Sequence, residues 1–180
     1  MACIAELEGV KEPRLKEYVE FAVEAAESLR DGRWRASQAL SANLMDSILN
    51  RSFDKASKKR LTDQKTRVGW EDYPIRSALV IGGIWGSYSE YWPSKGDPIP
   101  RRYTRHASAH GVSRRQYTRL NAVIALMHIV GLLKVSHQAL RSGYNCIVFS
   151  QTALRLRQNE TGSCRTACSS PSGRANRPWT

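Results

Sequence analysis

Residues 101–135 read RRYTRHASAHGVSRRQYTRLNAVIALMHIVGLLKV, and this stretch decides the predicted fold. A short helix can run through 101–110 and must end at Gly111, because glycine readily adopts the left-handed conformation that closes a helix. Ser113 can cap the next helix, since its hydroxyl satisfies a free backbone N–H of the first turn. The pattern therefore predicts a tight turn between two helices, with the second helix beginning at Ser113.

The helix predicted from Ser113 is amphipathic. One broad apolar face has helical spacing and contains Tyr117, Leu120, Val123, Ile124, Met127 and Val130. The opposite side of its N-terminal end carries Arg114, Arg115, Thr118, Arg119 and Asn121. The exposed end of this helix is thus its charged end.

The residues after this helix resemble a β-hairpin. Residues 131–135, GLLKV, are expected to end the helix and start a strand, and residues 145–150, NCIVFS, look like the returning strand. Ala107, Gly111, Val112-Ser113 and Leu120 match the small residue, turn glycine, capping serine and core residue of the helix-turn-helix family. With the hairpin, the segment resembles a winged helix-turn-helix domain, similar to those of bacterial regulators and of replication initiators of mobile elements. The alternative is an ordinary helical hairpin with a coincidental turn.

The resemblance implies a set of DNA-binding residues. The helix capped by Ser113 would enter the major groove, where its side chains would touch bases or nearby phosphates. Its contact residues would be Arg114, Arg115, Gln116, Thr118 and Arg119. The DNA backbone would be met by Arg101, Arg102 and Arg105 from the preceding helix, and by Lys134 and Arg141 from the wing.

The charge of the chain is concentrated in one segment. The 180 residues carry a net charge of +12, and residues 98–159 contain basic residues but no Asp or Glu. Such a segment cannot neutralise its own field and should attract a polyanion, with counterion release as the driving force. Nucleic acid is the expected partner, and a solvated basic surface without a ligand is the alternative.

The N-terminal region, residues 1–71, is predicted to be helical and neutral. Residues 13–30 form an amphipathic helix that stops at Asp31-Gly32, and a second helix covers Ser37–Leu49. Residues 54–67 have little apolar content and are expected to be an exposed connector. The two helices are available for homodimerisation or for binding another partner.

The remaining chain is predicted as a domain over 72–157 and a flexible tail over 158–180. A helix begins near Asp72 and Pro74 and runs to about Trp92, and the proline-rich residues 93–100 connect it to the basic segment. The fold class expected is therefore mainly α, with a helical N-terminal region followed by a winged helix-turn-helix.

The sequence offers no cofactor, metal or catalytic site. His106 and His110 are spaced for a shared metal ion but have no convincing third ligand. The sparse cysteines and the lack of a secretory signal are typical of a cytoplasmic protein. The longest apolar run, residues 75–91, is interrupted and falls short of the roughly 20 residues that a membrane helix needs. No small-molecule substrate is evident.

These features together predict non-catalytic binding of double-stranded DNA, in the regulation of transcription or in the replication of a mobile element. The alternative is a helical adaptor or inhibitor whose basic half binds an acidic protein or a nucleoprotein.

Overall fold

The computed structural model describes residues 2–65 and 73–141. Every regular element in these two ranges is a helix. The α-helices are α1 (Ala2–Glu8), α2 (Lys16–Arg30), α3 (Trp34–Ser52), α4 (Lys55–Thr62), α5 (Ile75–Ser87), α6 (Arg105–His110) and α7 (Arg119–Arg141). Single 3-10 turns occur at Pro13–Leu15 and Pro93–Lys95.

Helices α3 and α7 form the central pair of the fold. The buried face of α3 includes Met45 and Ile48, and that of α7 includes Ile129 and Leu133, all inaccessible to solvent. Helix α2 packs on both of them, α5 covers α7, and α6 covers α3. Helices on both sides of residues 66–72 therefore contribute to one hydrophobic core.

Two glycines allow α5 and α7 to approach closely. A Cβ atom on Gly131 would lie 2.8 Å from a methyl carbon of Val80, and one on Gly83 would lie 2.8 Å from the ring of His128. Close packing thus explains why glycines are tolerated here despite their low helix propensity. The helix predicted from Pro74 is confirmed, although it ends at Ser87 rather than near Trp92.

The prediction of a β-hairpin wing is wrong for the part of it that falls on described residues. Residues 131–135 lie in the middle of α7, and residues 2–65 and 73–141 contain no strand. The physical reason is that Leu132, Leu133 and Ser136 continue the buried stripe that begins earlier in α7, so helical packing outweighs the local strand pattern. The predicted returning strand, 145–150, and the predicted tail, 158–180, lie outside the described residues.

The prediction of a helix beginning at Ser113 is also wrong. Residues 114–117 form a turn, in which the N–H of Tyr117 donates to the carbonyl of Ser113 at 2.8 Å, and α7 begins only at Arg119. Thr118 takes the capping role instead, since its hydroxyl accepts the N–H of Asn121 at 3.2 Å. Gly111 follows α6 in an extended conformation, with φ at −166°, rather than in the predicted left-handed one.

The N-terminal predictions have mixed outcomes. The amphipathic helix over 13–30 and the helix over 37–49 are confirmed, and Gly32 between them adopts the left-handed conformation with φ at 79°. The exposed connector predicted over 54–67 is wrong for its first part, which forms α4. Asp54 caps α4 by accepting the N–H groups of Ala56 and Ser57, and Leu61 anchors it in the core.

Candidate nucleic-acid interface

A cluster of exposed arginines lies where α7 begins. We call residues 113–119 the arginine turn, because Arg114, Arg115 and Arg119 in this segment are all exposed. None of them has a hydrogen bond or ion pair to a carboxylate in the described part of the chain, and the same holds for exposed Arg101. These four side chains are therefore free to meet an external anion.

Buried amides hold the arginine turn against the rest of the fold. Gln38 on α3 donates through Nε2 to the Ser108 hydroxyl at 2.9 Å and to the Gln116 carbonyl at 3.1 Å. The Gln116 amide donates in turn to the carbonyl of Thr104 at 3.2 Å. Because Gln38 and Gln116 are completely buried, these bonds are shielded from water and fix the turn relative to α3 and α6.

The side chain of Asn121 connects the segment around Arg101 to the arginine turn. Its side-chain amide donates to the carbonyl of Arg101 at 3.0 Å and to the carbonyl of Gln116 at 2.7 Å. The buried hydroxyl of Tyr117 adds a further bond by donating to the carbonyl of Ser108, and burial raises the pKa of this phenol. The segment around Arg101, the arginine turn and the first turn of α7 thus form one connected surface.

Some predicted DNA-binding residues are engaged inside the protein. Gln116 is buried, so its amide cannot reach a base, and Thr118 caps α7. Arg105 binds the carboxylate of Asp46 at 2.7 Å. Ser113 is occupied locally, because its hydroxyl accepts the N–H of Arg115 at 3.1 Å.

Other predicted contacts lie away from the arginine turn. Lys134 pairs with Glu6 of α1, and this ion pair lowers the pKa of the Glu6 carboxyl. Arg141 ends α7, so at 1.5 Å per residue it lies roughly 33 Å along the helix from Arg119. Arg102 donates to the hydroxyl of Ser89 at 3.0 Å and is exposed beside the segment before α6.

A half-buried polar cluster around Asp46 was not predicted from the sequence. The Asp46 carboxylate accepts the hydroxyl of Tyr88 at 2.6 Å and binds Arg105, and Lys58 approaches it at 3.5 Å. Burial and the neighbouring Asp46 both raise the pKa of Tyr88. No local sequence signal points to this cluster, since Tyr88 and Arg105 lie 42 and 59 residues from Asp46.

A row of rings extends from the connector onto α6. The centroids of Trp92 and His106 are 6.3 Å apart, those of His106 and His110 are 5.8 Å apart, and Tyr88 meets His106 edge-on at 6.1 Å. Burial, aided by nearby Arg105, lowers the pKa of His106. The two histidines remain a pair, because the described residues contain no group of three side chains that could hold a metal ion.

A separate face formed by α5 and α7 is apolar. Leu79 and Met127 protrude from it, with 72% and 66% of their surfaces exposed. Cavities of about 310 Å³ and 430 Å³ lie on either side of Met127, and neither is lined by a carboxylate, lysine or arginine. These two cavities therefore present no lysine or arginine that would attract a phosphate.

Within the described ranges, α7 is the helix long and apolar enough to cross a membrane by length and composition, and it is also the central helix of the core.

The chain matches no protein-family model, and comparisons with curated proteins and with solved structures found no match.

Proposed function

We propose that this chain is a non-catalytic nucleic-acid-binding protein that holds phosphates with Arg101, Arg114, Arg115 and Arg119. The observation that carries the proposal is the set of exposed arginines that have no carboxylate partner among the described residues and lie on or beside a turn held by buried amides. Guanidinium groups suit this role because they stay charged and bind phosphate oxygens with paired N–H donors.

The electrostatics of the surrounding chain support the same proposal. Residues 98–141 contain no Asp or Glu, so no neighbouring acid in this range competes with a phosphate. The arginines also lie at the N-terminal end of α7, where the helix dipole adds positive potential. Regulation of transcription and replication of a mobile element would both use such an activity.

The proposal differs from groove recognition by an inserted helix. Exposed arginines lie at the start of α7 and in the turn before it, whereas the amide of Gln116, which could discriminate an adenine, is buried. Phosphate contacts position a protein on nucleic acid without identifying the sequence. We therefore expect affinity for DNA with little preference among base sequences.

The test compares two triple variants that lose the same charge. The first replaces Arg114, Arg115 and Arg119 by Ala. The second replaces Arg14, Arg30 and Arg33, each of which has a carboxylate partner on the surface. Binding is measured by fluorescence anisotropy with labelled oligonucleotides, both duplex and single-stranded, and folding is checked by circular dichroism.

The proposal predicts that the first variant loses most of its affinity while the second resembles the wild type. Equal losses in both variants would mean that only net charge matters and would contradict the assigned site. Binding to polyglutamate, with none to nucleic acid, would favour the alternative of an adaptor for an acidic protein.

A further inference from the structure

The row of rings that extends onto α6 reaches the surface at Trp92, which is 42% exposed. The backbone N–H of Trp92 donates to the Asp97 carboxylate at 2.7 Å, which anchors the main chain at this point, and the indole ring packs near His106. Lys95 lies over the ring, with Nζ 5.0 Å from its centroid. An exposed cation–π contact of this kind is weak, so Lys95 can yield the ring face to another partner.

Cationic side chains lie at both ends of this row. Arg102 is tied to Ser89, three residues before Trp92 in the chain. At the other end, exposed His110 closes α6 and is followed within four residues by Arg114 of the arginine turn. Proteins bind unpaired nucleotides by combining ring faces, on which the bases stack, with basic side chains that hold the phosphates.

The geometry favours unpaired bases over a duplex. In a duplex the base faces are stacked on one another and only their edges are accessible in the grooves, so an exposed indole has no partner there. The indole N–H also lies 3.4 Å from the carboxylate of Glu90. This acid disfavours a phosphate beside Trp92, which leaves the base as the part of the nucleotide that the ring accepts.

We propose that the chain binds single-stranded nucleic acid, with a base stacked on Trp92, a neighbouring base near His110, and the phosphates held by Arg102 and the arginine turn. This proposal rests on the proposed function, since it uses Arg114, Arg115 and Arg119 of the arginine turn. It specifies which form of nucleic acid they hold.

The experiment measures anisotropy of a labelled oligothymidine and of a duplex of equal length, at one salt concentration. The variants are Trp92→Leu, Trp92→Phe and His110→Ala in the full chain. Trp34→Leu is the matched control, because Trp34 also carries a cation over its ring, Arg35 at 5.5 Å, but lies on α3. Circular dichroism reports whether each variant is folded.

We expect the wild type to bind oligothymidine more tightly than the duplex. Trp92→Leu should weaken oligothymidine binding about 5- to 150-fold, the range that loss of one stacked base produces. Trp92→Phe should retain most of the affinity because a ring remains, and Trp34→Leu should match the wild type. His110→Ala should weaken binding roughly threefold or more.

Three outcomes separate this proposal from the proposed function. If Trp92→Leu binds as the wild type does while the Arg114, Arg115 and Arg119 variant does not bind, stacking is refuted and the phosphate site stands. If the wild type binds neither oligonucleotide, both proposals fail. If Trp92→Leu does not fold, His110→Ala decides, and unchanged affinity in His110→Ala would overturn the stacking proposal.

Discussion

Replacing Asn121 by Ala tests whether buried amides hold the arginine turn. The substitution removes the bonds to the carbonyls of Arg101 and Gln116, each worth about 1 kcal/mol net. The Gln116 carbonyl keeps the Gln38 amide as a donor. The Arg101 carbonyl loses its side-chain donor, and leaving this carbonyl without it adds roughly 1 kcal/mol to the destabilisation. Alanine returns about 0.5 kcal/mol through its higher helix propensity. The expected loss in the free energy of unfolding is about 2.5 kcal/mol.

Urea denaturation followed by circular dichroism measures this loss, which should shift the midpoint by about 1 M. Asn43→Ala is the matched control, because Asn43 is an exposed asparagine on α3 whose amide bonds only within its own helix, to Ala39 at 2.9 Å. We expect that variant to stay within about 0.5 kcal/mol of the wild type. A loss in Asn121→Ala no larger than in Asn43→Ala would refute the argument that these amides fix the turn.

Three further predictions concern stability. Asp46→Ala should lower the free energy of unfolding by about 2–4 kcal/mol in urea denaturation, because it leaves the half-buried Arg105 charge without its partner; a loss below 1 kcal/mol would contradict this. Gly131→Ala should destabilise by about 1–3 kcal/mol through overlap with Val80, and a gain in thermal stability, as expected at an unobstructed helical glycine, would refute the close packing. Burial lowers the pKa of His128 from 6.5 to about 4, so as the pH falls the unfolded chain takes up a proton on this residue before the folded chain does. The free energy of unfolding should therefore fall by up to roughly 3 kcal/mol between pH 6.5 and pH 4. His128→Gln should lose that part of the pH dependence.

The helical periodicity predicted much of the fold. The stripes of α2 and α3 and the proline at the start of α5 are local signals, and the structure confirms the helices that they indicate. Helix α4 was missed because Leu61 is its one buried residue. A single buried residue does not produce an apolar stripe at helical spacing in the sequence. The cap of α4, Asp54, was the available signal.

The errors around the arginine turn have a tertiary cause. Ser113 and Gly111 carry the local features of a helix start and stop, but Gln116 and Tyr117 gain buried hydrogen bonds with Ser108 only if residues 114–117 form a turn. Likewise residues 131–135 resemble a strand locally, yet Leu132 and Leu133 complete the core as part of α7. Partners this distant in the sequence leave no mark on the local pattern.

Part of the candidate site could still be predicted. The absence of acids from residues 98–159 identified the basic segment, which includes the arginines that the structure exposes together. The sequence could not separate Arg114 and Arg119, which have no carboxylate partner within residues 2–65 and 73–141, from Arg105, which is bound to Asp46. That distinction depends on α3 and α6 packing together.

The salt dependence of nucleic-acid binding tests the central claim most directly. Anisotropy titrations of a labelled single strand at several salt concentrations give the slope of log Kd against log salt, which counts the phosphates neutralised at about 0.7 each. Replacing Arg114, Arg115 and Arg119 by Ala should reduce this slope by about 2, whereas replacing Arg14, Arg30 and Arg33 should leave it unchanged. An equal slope in the two variants would contradict the assignment of phosphate binding to the arginine turn.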